Sequence, residues 1–92
     1  MKISANSAIQ SQLSTLPTRD QEHVTSVLSS FDPARASDHV RKIPNDNNLY
    51  EVRITSRLRA LVRIRRDLDQ VELLAVVRPD QIDRYVKVMR AV

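Results

Sequence analysis

Leu49-Tyr50-Glu51-Val52-Arg53-Ile54, Leu58-Arg59-Ala60-Leu61-Val62-Arg63-Ile64-Arg65 and Val71-Glu72-Leu73-Leu74-Ala75-Val76-Val77 are the three runs on which the fold turns. In the first, Tyr50, Val52 and Ile54 alternate with Glu51, Arg53 and Thr55. In the second, Leu58, Ala60, Val62 and Ile64 alternate with Arg59, Leu61, Arg63 and Arg65. A period of two places each set on one face of a strand. The third run is apolar except at Glu72, which marks a strand covered on both faces. Short connections near Ser56-Arg57 and at Asp67-Leu68-Asp69 make an antiparallel meander the natural topology.

Working outward, Pro79 and Asp80 open a last helix with the apolar set Ile82, Tyr85, Val86 and Met89. Upstream, Pro33, Pro44 and the run Asn45 to Asn48 read as loop and turn, with Val40 and Ile43 touching the core. Before them lie two helices. Asn6 or Ser7 caps the first, whose apolar face is Ile9, Leu13 and Leu16, and Pro17 ends it. Thr18 and Gln21 fit a capping box for the second, with Val24, Val27, Leu28 and Phe31 as its buried stripe. Met1 to Ser4 can form a short strand. The expected architecture is α+β, one small domain over residues 1–92, in the order β-α-α-β-β-β-α. Its antiparallel sheet carries the helical hairpin on the face of Tyr50, Val52, Ile54, Leu58, Ala60, Val62 and Ile64.

Charge is segregated along the chain. Residues 1–50 carry five basic and five acidic side chains, whereas residues 51–92 carry ten basic and six acidic, so the whole net charge of +4 lies in the second part. Arg53 to Arg66 holds six arginines and no acid, and twelve of the fifteen basic residues are Arg. Arg suits bidentate contacts to phosphate and carboxylate and keeps its proton. The isoelectric point near 10.1 points to a polyanion, either nucleic acid or an acidic protein. Strand alternation gathers Arg53, Arg59, Arg63 and Arg65 on the face away from the hairpin, and Leu61, Leu74 and Val76 are expected beside them. Like charges on adjacent strands repel unless they meet anions.

Several function classes fall away. The chain has no Cys, hence no disulfide scaffold or thiolate chemistry. Two histidines, His23 and His39, cannot build a four-ligand zinc site and read as polar surface. Without glycine there is neither a P-loop nor a dinucleotide fingerprint. Three aromatics are too few for a base-stacking platform. No apolar run spans a membrane, and Met1 to Ala8 does not read as a secretory signal, so a cytoplasmic location, with no metal or cofactor, is the expectation.

Lys42-Ile43, Leu49 to Ile54, Leu58 to Ile64, Leu73 to Arg78 and Tyr85 together resemble the RelE/ParE toxin superfamily of toxin–antitoxin systems, with a cadence over about residues 40–85. The resemblance implies a toxin silenced by a cognate antitoxin, with one of two targets. RelE-type members cleave mRNA on the ribosome, which makes them endoribonucleases that inhibit translation. ParE-type members poison DNA gyrase without nuclease activity. For the nuclease, the resemblance implies that Arg53 and Arg59 hold the phosphate and that Arg78 stabilises developing charge. Tyr85 then orients, acts as base or stacks, and Lys42, Arg63 and Arg65 contact RNA. Glu51 stands where many RelE-type members carry lysine, and it is read either as a general base or as a residue that blunts catalysis.

Blander readings stand beside these. Tyr85 can pack into the core, Arg78 can pair with Asp80 or Asp83, and Arg63 and Arg65 can meet antitoxin carboxylates. The arginine set and Tyr85 favour the nuclease. The missing second lysine and the lack of a histidine near position 78 favour the gyrase inhibitor. The balance falls to the nuclease.

Overall fold

The computed structural model describes residues 2–35, 39–46 and 48–90. Five strands form one mixed sheet in the order β1-β5-β4-β3-β2, with three helices. The strands are β1 (Lys2–Ala5), β2 (Val40–Lys42), β3 (Leu49–Arg53), β4 (Arg59–Arg65) and β5 (Gln70–Val77). The helices are α1 (Ser7–Ser14), α2 (Thr18–Ser29) and α3 (Ile82–Arg90). The expected α+β order is present with one further strand, β2, in a stretch that reads as loop. Strands β2 to β5 are antiparallel, and β1 joins β5 in parallel because the α1–α2 hairpin carries the chain across the sheet.

Local chemistry explains the elements. Asn6 caps α1, its Oδ1 accepting from the Ile9 amide at 2.9 Å. The capping box expected at Thr18 and Gln21 does not form. Pro17 takes the cap position, and Gln21 Nε2 donates to the Leu16 carbonyl at 2.8 Å, sealing the tight α1–α2 connection instead. The β3–β4 turn is tied by Thr55 Oγ1, which accepts from the amides of Arg57 and Leu58. With no glycine available, Asn45 and Asp69 occupy the left-handed region, at φ 66° and 51°. Asn and Asp tolerate that region better than other non-glycine residues.

The hairpin covers the face predicted for it. Val24 and Leu28 of α2 pack on Tyr50, Val52, Ile54, Ala60, Val62, Ile64, Val71, Leu73 and Val76, with Ile9, Leu13, Val27, Phe31 and Leu58 around them. Phe31 meets Tyr50 edge-on at 5.9 Å.

The other face departs from expectation in two ways. A register shift at Leu61/Val62 sets Ala75 opposite Leu61 but Leu73 opposite Val62, leaving Leu74 as the extra residue. Such a bulge reverses the alternation beyond it, so Val76 faces the hairpin and not the arginines. This face is also not open. Ile82 and Val86 of α3 bury Leu49, Leu61, Ala75 and Val77 together with Ile43, and Leu74 packs alongside. No described helix is long and apolar enough to cross a membrane.

Candidate nucleic-acid interface

Pairing register assembles the candidate site. Arg53 of β3 lies directly opposite Arg59 of β4, and Arg59 lies opposite Val77 of β5, the residue before Arg78. Arg53 and Arg59 therefore end up side by side at one end of two adjacent strands, while Arg78 follows the last residue of β5, one step out of their pleat. Glu51 sits one pleat inward on the same face as Arg53, opposite Leu61 on one side and Arg41 of β2 on the other.

The side chains differ in how firmly they are held. Arg53 is exposed and makes no ion pair or side-chain hydrogen bond among the described residues. Arg59 is 16% exposed; its Nη1 donates to the Thr55 and Leu58 carbonyls, and its Nε lies 3.9 Å from Glu51 Oε2. Arg41 Nη2 donates to Glu51 Oε1 at 2.8 Å and lies 3.8 Å from Asp83 of α3. Arg78, 67% exposed, pairs with Asp80 at 3.6 Å. Such exposed pairs contribute little and give way to a better anion.

Other predicted residues lie elsewhere. Arg63 and Arg65 share the arginine face but stand toward the opposite end of β4, beside Glu72 and Gln70. Arg65 is paired with Glu72 at 3.5 Å and with Asp67 at 4.0 Å, while half-buried Arg63 has no ion pair among the described residues. Lys42 is opposite Tyr50, a core residue of the hairpin side, so it does not join the arginines. Tyr85 is 39% exposed and forms no described hydrogen bond with any arginine, so it is not a core residue. Among the described residues the expected crowd of uncompensated guanidiniums on this face thus reduces to Arg53 and Arg63, because Glu51 faces Arg59 and both Glu72 and Asp67 pair with Arg65.

Arg41 is the site residue that sequence reading missed. Its position between Val40 and Lys42 is the only signal, and alternation assigns a face only once those three residues are known to pair with β3.

At the level of sequence no family model and no curated protein matches the chain. Solved structures do match, and they show the fold. A mutant of the Escherichia coli toxin RelE in the free state superposes with a TM-score of 0.73 at 11% identity, covering 99% of this chain and 96% of that one. The archaeal RelE–RelB complex from Pyrococcus horikoshii gives 0.68 at 13%, covering 84% and 92%. The RelB–RelE antitoxin–toxin complex from Methanococcus jannaschii gives 0.64 at 15%, covering 89% and 96%. The chain has the RelE toxin fold, as the cadence of residues 40–85 implied.

Proposed function

We propose that this protein is the toxin of a type II toxin–antitoxin pair and cleaves mRNA on the ribosome, inhibiting translation in the cytoplasm. One observation carries the reading: Arg53 and Arg59 stand in register on adjacent strands, with Arg78 one residue beyond the same row. Strands hold such a row far more rigidly than a loop does, and a row of cations set before the substrate arrives is what a developing phosphorane charge requires.

Cleavage through the RNA's own 2′-hydroxyl needs a base, charge stabilisation at the phosphate and an acid for the leaving 5′-oxygen. Arg53 brings an unengaged guanidinium fork, and Arg59 brings Nη2, which has no partner among the described residues. Arg78 swings from Asp80 toward the leaving oxygen. Tyr85, exposed on α3, supplies a phenol for proton transfer or a ring for stacking on a base. Arg63 and Arg65 extend the contact along β4 toward ribosomal RNA.

The partner reading has its own support. Two of the structural neighbours are RelE proteins held in complexes with RelB antitoxins. An antitoxin is the expected partner here, and its acidic or amphipathic segment covers the arginine end of the sheet or the groove beside α3. A complex in which the antitoxin touches only the α1–α2 side refutes that placement.

One observation favours a gyrase inhibitor instead. Glu51 is engaged by two arginines, and Tyr85 makes no described hydrogen bond to the arginine row, so the residues assigned to proton transfer are not tied together in the free protein. Primer extension on mRNA from cells pulsed with the protein separates the readings. Cuts at in-frame positions that vanish in Arg53→Ala support the nuclease. Growth arrest with intact mRNA and gyrase-linked DNA breaks supports the inhibitor and removes the catalytic roles above.

A further inference from the structure

We propose that Glu51 is a positioning residue and not the base: gripped by Arg41, it fixes the guanidinium of Arg59 in place. This rests on the nuclease reading for its kinetic test, although the geometry stands apart from it.

Glu51 offers each carboxylate oxygen to a different cation. Oε1 accepts from Arg41 Nη2 at 2.8 Å, and Oε2 faces Arg59 Nε at 3.9 Å. Its side chain is only 19% exposed. A general base needs a lone pair within about 2.6–3.2 Å of the hydroxyl proton it removes. Both oxygens of Glu51 are instead turned toward guanidiniums within the sheet face.

Arg59 is correspondingly constrained. Its Nη1 is committed to two carbonyls of the β3–β4 turn and its Nε side faces Glu51, which leaves Nη2 as the outward donor. A guanidinium held on two sides has lost its rotamer freedom before any phosphate arrives. Position on the sheet makes the carboxylate necessary. Arg41, Arg53 and Arg59 come from three adjacent strands, and Glu51 is the acid placed among them. Without it, like charges on neighbouring strands repel, and the Arg59 side chain swings toward solvent. Arg41 holds Glu51 in turn, with Asp83 of α3 as a looser outer contact at 3.8 Å.

The test compares Glu51→Gln, Glu51→Ala, Arg41→Ala and the double variant, each first shown by thermal melting to be folded. Two readouts are taken: single-turnover cleavage of mRNA on programmed ribosomes across pH, and hydrogen exchange of the Arg59 Nε–H by NMR in the free protein. A positioning role, which depends on the carboxylate charge, predicts that Glu51→Gln slows cleavage about as much as Glu51→Ala while leaving the shape of the pH profile unmoved. Glu51→Ala and Arg41→Ala each lose about tenfold or more, the double loses no more than either single, and Arg59 Nε–H exchange speeds up in both. The proposal is overturned if Glu51→Gln loses the acidic limb of the pH profile, which is the signature of a base. Unchanged Arg59 exchange in Glu51→Ala and Arg41→Ala overturns it as well. If the wild-type protein cuts no mRNA, the nuclease reading falls, and the exchange measurement still decides whether Glu51 and Arg41 fix Arg59.

Discussion

The two faces of this one sheet are built from the same alternating strands and put to different uses. On the hairpin face every strand residue from Tyr50 to Val76 that meets α2 is apolar and buried. The α3 face is divided: Leu49, Leu61, Ala75 and Val77 form a strip that anchors Ile82 and Val86, and guanidiniums occupy the ends of the strands. The difference teaches where stability and function can be altered separately. The hairpin face buries apolar area with no buried charge among the described residues, so removing a side chain there leaves a cavity. Leu73, 2% exposed at the centre of that cluster, provides the largest expected effect. Leu73→Ala should cost about 2–5 kcal/mol by urea denaturation, a large part of the ~5–15 kcal/mol that holds a domain together. A loss under about 1 kcal/mol breaks the comparison, because the core would then collapse around the gap.

The arginine end of the other face predicts the converse. Arg53 has no described partner to leave behind, so Arg53→Ala should move stability by less than about 0.5 kcal/mol. Its cleavage rate on ribosomes should nevertheless fall by about 100-fold, the usual loss when one preorganised donor to a developing charge is removed. A variant that both melts earlier and cuts less would show that Arg53 belongs to the folding side of the comparison.

How much of this was legible in the sequence differs between the faces for a physical reason. Period-two alternation at Tyr50, Val52 and Ile54 and from Leu58 to Ile64 named the hairpin-facing residues correctly, because alternation is a local property of a strand. Val76 was placed on the wrong face because a bulge inserts one residue at a point that a continuous apolar run does not mark. The apolar face of α3 was readable from Ile82 and Val86, but which surface it covers depends on contacts far away in the chain. β2 spans only three residues, too few to show a period, and so Arg41 went unnoticed and Lys42 was grouped with the arginines. Arg53 and Arg59 stand out individually in the sequence, and register brings these two together, with Arg78 one residue past the paired row. The Asp80 partner of Arg78 was legible from its spacing, whereas the counter-charge of Arg59 was not, because Glu51 meets one arginine from each of two other strands.

Smaller effects sharpen the same comparison. Asn6 caps α1 on the hairpin side, and α1 is tied to β5 by Gln12 Nε2 donating to the Val76 carbonyl at 3.0 Å. Asn6→Ala should therefore cost about 1 kcal/mol in a denaturant titration, with no change in RNA cleavage. A loss of cleavage in this folded variant would mean that the hairpin side contributes to the site.

The smallest stability change is expected where functional change should be a gain. Asp80 is 75% exposed and pairs with Arg78 at 3.6 Å, an arrangement worth almost nothing to the fold. Asp80→Asn should leave the unfolding free energy in urea within about 0.5 kcal/mol of wild type. It also releases Arg78 and removes a negative charge from the end of the sheet where phosphate is proposed to bind. RNA affinity measured at two or more salt concentrations should rise, and its salt dependence should steepen by up to about one counterion, as one more cation becomes free to meet phosphate. Unchanged affinity and slope would place Arg78 outside the RNA contact and shrink the functional row to Arg53 and Arg59. The opposite result, stronger binding at an unchanged melting point, is one that no substitution under the hairpin should produce.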